Sequence, residues 1–327
     1  MRQESPPSKE VPPAHDSPAA PRVIVDKPNP QASLRLPPSL CLNGEVSSPS
    51  SINEQLRHLR ERGLVLSTED EREAGHFVLN HSLFRIQEYL HHAASPIAFT
   101  ALKDIVECDQ ELRDAVLWGL SRLEISFRSR FAYFFTGHAS PTSYLSEKSY
   151  QEPHRAGRRG STLTPEGIID ALHSDIERSK EPFVREHSFR HPIPFGHAIE
   201  VLTMGTLSKA YDGLANTRIK TDIAHSFDYE DPELFGGVFR SLTDLRNSCA
   251  HHVRLWHKRP RFAPPLKPGL QIEEDHSIYD RTPWAWIVNL QEFTDQLENS
   301  EEFSNRIDTL ISNTPGFREG LTHPRER

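Results

Sequence analysis

Between residues 100 and 135 apolar side chains return every three or four positions, at Leu102, Ile105, Val106, Leu112, Val116, Leu120, Leu123, Phe127 and Phe131. That spacing matches the α-helical turn and lays them along one stripe, so the segment reads as one long amphipathic helix or two end to end. The same period recurs elsewhere. Ser51-Ile52-Asn53-Glu54 offers a capping-box start, Leu56 and Leu59 continue it, and Gly63 ends it. Residues 71–89, with Phe77, Phe84 and then Leu90 as apolar anchors, predict a second helix. Others are expected over 165–181, 195–214, 232–257 and 283–312. The one over 232–257 carries Leu234, Val238, Leu242, Leu245, Cys249 and Trp256 on one side. No segment reads convincingly as a strand and no internal repeat is visible. The fold class is all-α, a helical bundle with a small N-terminal helical subdomain and a closing C-terminal helix.

The breaks between these segments are as informative. Residues 1–50 are rich in Pro and Ser and cannot bury enough apolar surface to offset the entropy of ordering, so a disordered tail is expected there. Its functional reading is a Pro-rich ligand for a partner. Residues 137–165 form a long Gly- and Pro-punctuated loop with a basic knot at His154, Arg155, Arg158 and Arg159. The expected organisation is a tail over 1–50, a helical domain over 51–265, and a linker with a C-terminal helix over 266–327.

Charge and cysteine content narrow the function classes. With 38 basic against 46 acidic residues the formal charge is −8, which argues against a uniformly basic nucleic-acid binder but leaves room for a local basic patch. Cys41, Cys108 and Cys249 are far apart and share no C-x-x-C spacing, so neither a zinc site nor a disulfide framework is expected. No apolar run approaches the ~20 residues of a membrane span, and no signal-peptide core is present, so a cytoplasmic protein with no membrane partner is expected. His187, His191 and His197 straddle Pro192 and Pro194 without a metal-binding pattern and read as surface loop. No metal or cofactor is expected.

The densest chemistry lies at 246–257, RNSCAHHVRLWH, where Arg, Asn and paired His stand together with no acidic side chain. An imidazole moves protons near neutral pH and a guanidinium grips phosphate with a bidentate fork. Arg246 and His251 are the catalytic candidates, with Asn247 to orient the histidine or touch the phosphate. His252, Arg254 and Lys258 are candidate substrate-binding groups. At about 100° per residue, positions five apart lie about 140° apart on a helix, so Arg246 and His251 do not share a face. Asp244, Asn247, His251, Arg254 and Lys258 form the polar stripe instead. Two copies related by a twofold axis would bring two histidines and two arginines around one phosphate. The bland alternative stays open: basic residues gather at helix C-termini to complement the macrodipole.

Read together, the flanks resemble a known family. LRNSCAHHVRLWHKRP is similar to the signature of the Abi-like abortive-infection proteins of bacteria, close to LRN-x-x-AHH-x-RLWN. IEVLTMGTLSKAYDGL resembles the same family's upstream helix. CDQELRDAVLWGLSRLEISFRSRFAYF matches its Asp-x-x-Leu-Arg and Ile-Glu-x-x-x-Arg helix through Asp109, Leu112, Arg113, Glu124 and Arg128. INEQLRHLRERGLVL and LNHSLFRIQEYL look like its start, and the resemblance runs in order over about 51–265. It implies a HEPN-like bundle, a class in which many members are metal-independent ribonucleases with an Arg-x4-6-His motif, and hence Arg246 and His251 as catalytic. It implies RNA as partner, a homodimer, and a neutralising partner or guide RNA as a further candidate, in a toxin acting in phage defence. Glu124 and Arg128 are either support beside the site or an ordinary intrahelical ion pair. Asp109 and Arg113, on the apolar face, suggest a buried structural pair. The chain departs from the family at His257, where Asn is usual after the Trp, and at HSLFR, where an NYYR-like element is usual. The alternatives from other classes are an RNA-binding module without catalysis and a protein-interaction module.

Overall fold

Ser51 begins the first helix as its capping box predicts. Its Oγ accepts the Glu54 N–H at 3.2 Å, and the Glu54 carboxylate accepts the Ser51 N–H at 3.0 Å, starting α1 (Ile52–Glu61). The computed structural model describes residues 51–151, 163–187, 192–270 and 273–325. The Pro-rich segment, the basic knot at 154–159 and His191 fall outside them.

The helix expected over 71–89 is two, α2 (Glu71–His81) and α3 (Leu83–His92). They part at Ser82, whose φ of 65° turns the chain without interrupting the apolar spacing. Phe77 and Leu90 are buried as anchors, but Phe84 is 60% exposed. One small sheet joins this region: β1 (Leu64–Val65) pairs in parallel with β2 (Ile97–Ala98), Leu64 opposite Ile97. Two residues per strand are too few for an alternating pattern to register in the sequence.

The long stripe is one helix, α4 (Phe99–His138), whose 40 residues run about 60 Å. Beyond it come α5 (Pro165–Arg178) and α6 (Pro182–His187). The helix expected over 195–214 divides into α7 (Phe195–Ala198), a 3-10 turn (Ile199–Val201) and α8 (Met204–Asp212). Thr203 restarts it by accepting the Thr206 N–H at 3.2 Å. The periodicity did not anticipate α9 (Thr217–His225), which Asn216 caps. Then follows α10 (Pro232–Ala250). The helix expected over 283–312 breaks at left-handed Asn299 into α11 (Pro283–Glu298) and α12 (Glu302–Asn313), and a short α13 (Phe317–Thr322) follows.

α4 is the axis of the bundle, with α3, α7, α9, α10, α11 and α12 packed on it. The Phe127 ring stacks on Phe239 of α10 at 4.0 Å between centroids. At Gly119 a Cβ would stand 2.8 Å from the Phe303 ring, so only glycine lets α12 lie this close to α4. The protein is an all-α bundle. Among the described residues no helix is long and apolar enough to cross a membrane.

A candidate anion site at the end of α10

α10 stops at Ala250, not at His257 as its stripe predicts. The ending is a Schellman motif: the His252 N–H donates to the Cys249 carbonyl at 3.0 Å and the Val253 N–H to the Ser248 carbonyl at 2.8 Å. His252 takes the left-handed position with φ 55°, a place usually left to glycine. His251 is the C-cap, so the paired histidines sit on the turn itself and are both exposed. The predicted polar stripe is therefore cut. Asp244 and Asn247 belong to the helix, whereas Arg254 and Lys258 belong to the segment after it.

That segment is fixed from α4. Asp109, fully buried, accepts the backbone N–H groups of Leu255 and Trp256 through Oδ1 at 3.0 and 2.8 Å. Its Oδ2 accepts the Tyr89 hydroxyl at 2.5 Å and the Arg113 guanidinium. Burial and the adjoining Asp109 charge push the Tyr89 phenol well above its ordinary value, which keeps it a donor. The Trp256 ring lies parallel to Tyr89 at 6.3 Å, and the Arg254 guanidinium stands 5.8 Å from the same tyrosine ring. Asp109 and Arg113 are thus the buried pair that their apolar positions suggested.

The result is a cavity of about 640 Å³ between α3 and the 251–259 segment. His251, His252, Arg254 and Lys258 all line it, so four of the residues singled out in the sequence meet there. α3 contributes Arg85, Glu88, Tyr89 and His92, which follow helical steps of three and four. Arg259 and Arg325 complete the basic lining. Arg85 donates to the His252 carbonyl, tying α3 to the turn. Among the described residues Glu88 is the one acidic group of the lining, 4.0 Å from Arg254. Burial and the neighbouring Arg254 charge lower the Lys258 ammonium from its ordinary value.

His257 and the chain's C-terminal segment close one side. His257, at φ 54°, donates its N–H to the Gly320 carbonyl at 2.8 Å, and its Nδ1 accepts the Arg325 N–H at 3.2 Å. The latter bond assigns the ring proton to Nε2. Its ring stacks on His92 at 5.3 Å. Burial, with the His92 and Arg325 charges adding to it, brings His257 down to about 4, so the ring is neutral at pH 7.

Other candidates lie elsewhere. Arg246 and Asn247 are not among the cavity's lining residues; the Arg246 guanidinium donates to Asn247 Oδ1 at 3.4 Å. Glu124 and Arg128 form an ion pair on α4, and Arg128 also donates to the carbonyls of Ile199, Glu200 and Leu202 at the α7–α8 break. The contacts of this pair brace that turn. Cys249 is buried and its thiol is pushed up to about 12 by that burial, which leaves it unreactive near neutral pH. Arg325 and His92 escape sequence reasoning, because nothing around either residue in the chain hints at a distant cavity.

Fold and site together define an all-α bundle with a cationic, histidine-bearing cavity at a helix C-terminus. The chain belongs to the family of Abi-like proteins, whose family model matches residues 76–257. Comparison with curated proteins and with solved structures returns no match. The matched residues include Arg85, Asp109, Arg113 and the whole 246–257 motif. α11, α12, α13 and Arg325 lie beyond them.

Proposed function

We propose that this protein is a HEPN-type, metal-independent endoribonuclease that acts as a toxin in abortive infection of phage-infected cells. Membership of the Abi-like family supports the abortive-infection role. One observation carries the chemistry: among the described residues a single lining acid faces five cationic and four histidine side chains, in a chain of net charge −8. Such a concentration of positive charge against the overall balance suits a phosphate-bearing substrate.

In this reading neutral His251 takes the proton of a ribose 2′-hydroxyl, and that oxygen attacks the adjacent phosphorus. The bond to the 5′-oxygen breaks, giving a 2′,3′-cyclic phosphate and a 5′-hydroxyl. The leaving oxygen takes its proton from solvent water, and His251 gives up the proton it took to return to its starting form. Arg246, steadied by Asn247, stabilises charge on the phosphoryl oxygens. Arg246 lies off the cavity that His251 lines, and in this reading a homodimer brings the two together. DNA resists for want of the 2′-hydroxyl.

The test is incubation of purified protein with mixed RNA in EDTA. Wild type is expected to cleave, and His251→Ala to lose roughly 10²–10⁴-fold in rate, the range of general acid–base catalysis. Equal cleavage by both, or none by wild type, removes the ribonuclease reading. Intact RNA with salt-sensitive binding would favour a non-catalytic RNA-binding module, and a stable complex without RNA a protein-interaction module. Growth arrest on induction, lost in Arg246→Ala, tests the toxin role, and co-purification tests for a neutralising partner or guide RNA.

A further inference from the structure

We propose that the cavity between α3 and the 251–259 segment seats a second phosphodiester of the bound strand, next to the one at His251, and that Arg325 completes this subsite from outside the family-matched region. That the strand is RNA rests on the ribonuclease reading above; that the site takes a phosphate rests on the cavity.

Three observations converge. First, Arg85 and Arg325 come from elements that do not carry the 246–257 motif, yet both reach the cavity that His251 and His252 line. Second, both guanidiniums are anchored by protein carbonyls. Arg85 donates to the His252 carbonyl, and Arg325 donates to the His92 carbonyl at 3.1 Å and reaches Glu319 at 3.3 Å. A guanidinium has five N–H donors in a rigid fork, so an anchored one keeps others for a phosphate and arrives pre-organised. Third, this end of the chain is built against the motif. The Gly320 carbonyl and the Arg325 N–H grip the backbone and ring of His257.

Size and access agree. About 640 Å³ accommodates a phosphate with an attached nucleoside. The exposed side chains of His251, His252 and Val253 border the cavity, so a strand entering it need not end there. Five cations held around one space repel one another, and a polyanion relieves that repulsion.

The experiment is fluorescence anisotropy of a labelled 2′-O-methyl RNA oligomer, which the proposed chemistry cannot cleave, bound to full-length wild type, Arg85→Gln, Arg325→Gln and Arg325→Lys over a salt series. Each Gln variant is expected to weaken binding roughly tenfold, the scale of one charge-assisted hydrogen bond. Each should also lower the slope of log K against log salt by about 0.7, one phosphate contact on a single strand. Arg325→Lys should restore that slope. Thermal melts check that the variants fold, and Arg85→Gln, on a different element, keeps the test valid if Arg325→Gln loosens α13.

Wild-type affinity and slope in both Gln variants would overturn the subsite. So would displacement of the oligomer by millimolar inorganic phosphate or a mononucleotide at Arg325-dependent saturation, which would make this a small-anion site instead. Cleavage of ordinary RNA, run in parallel, separates the two proposals. Arg325-dependent binding without cleavage keeps the subsite and removes the nuclease; cleavage indifferent to Arg85 and Arg325 does the reverse.

Discussion

Asp109 and Trp256 are 147 positions apart in the chain, and the Asp109 carboxylate accepts the Trp256 backbone N–H at 2.8 Å. The same oxygen takes the Leu255 N–H, and the other oxygen takes Tyr89 and Arg113. Desolvating a carboxylate costs several kcal/mol, and this one is offset by four donors, one of them charged. The course of the segment bearing Arg254 and Lys258 is therefore set by α4 and not by α10.

Removing that anchor should be costly. Asp109→Asn leaves the Arg113 guanidinium buried without its carboxylate and is expected to destabilise the fold by about 3–5 kcal/mol. Urea unfolding followed by circular dichroism measures it. A loss below about 1 kcal/mol would mean that the segment holds its own shape.

His252 occupies a left-handed backbone position that costs a non-glycine residue about 1–2 kcal/mol. His252→Gly should accordingly raise stability by about 1 kcal/mol while weakening RNA binding. Greater stability with unchanged RNA affinity would show that this imidazole does nothing for the ligand.

Acid should loosen the C-terminal segment through His257. Its folded value of about 4 lies below the ordinary 6.5, so between those values the unfolded chain binds more protons than the folded one. Stability is full above about pH 6.5 and falls as pH drops towards 4, by on the order of 2 kcal/mol from this group. His257→Asn, which keeps an acceptor for the Arg325 N–H, should flatten that part of the stability-versus-pH curve. An unchanged curve would assign the acid sensitivity to other groups.

Gly320 lies against the indole of Trp256, where a Cβ would overlap Nε1. Gly320→Ala is expected to cost about 1–3 kcal/mol by overpacking, and to change tryptophan fluorescence as α13 shifts. An unperturbed spectrum and melt would place α13 farther from Trp256 than described.

The dimeric site makes a prediction of its own. Arg246→Ala and His251→Ala should each abolish cleavage alone, whereas co-expressed together they should recover activity in mixed dimers carrying one intact arginine and one intact histidine. A mixture as inactive as its parents would place both groups in a single chain.

How far the sequence reached differs from element to element. The 3.6-residue period located α4 within three residues at its C-terminal end and one at its N-terminal end, because a helix packed along one side must carry apolar side chains at that interval. Ser51 announced α1 through chemistry local to four residues. The breaks at Ser82, Thr203 and Asn299 were hidden, since a single residue can redirect a helix while the apolar spacing continues across it. His251, His252, Arg254 and Lys258 were legible as a group because they are neighbours in the chain. Arg85 and Arg325 were not, since they arrive from separate elements.

By itself the sequence determined an all-α chain of the Abi-like family, the α4 stripe and the cluster of histidines and arginines, all written in the spacing of nearby residues. Only the tertiary structure decided that α10 ends at Ala250 and that its histidines face a cavity shared with α3 and Arg325. The reason is competition for hydrogen bonds. Further helix would have had to spend the Leu255 and Trp256 N–H groups on its own carbonyls, and a carboxylate folded in from α4 takes them instead.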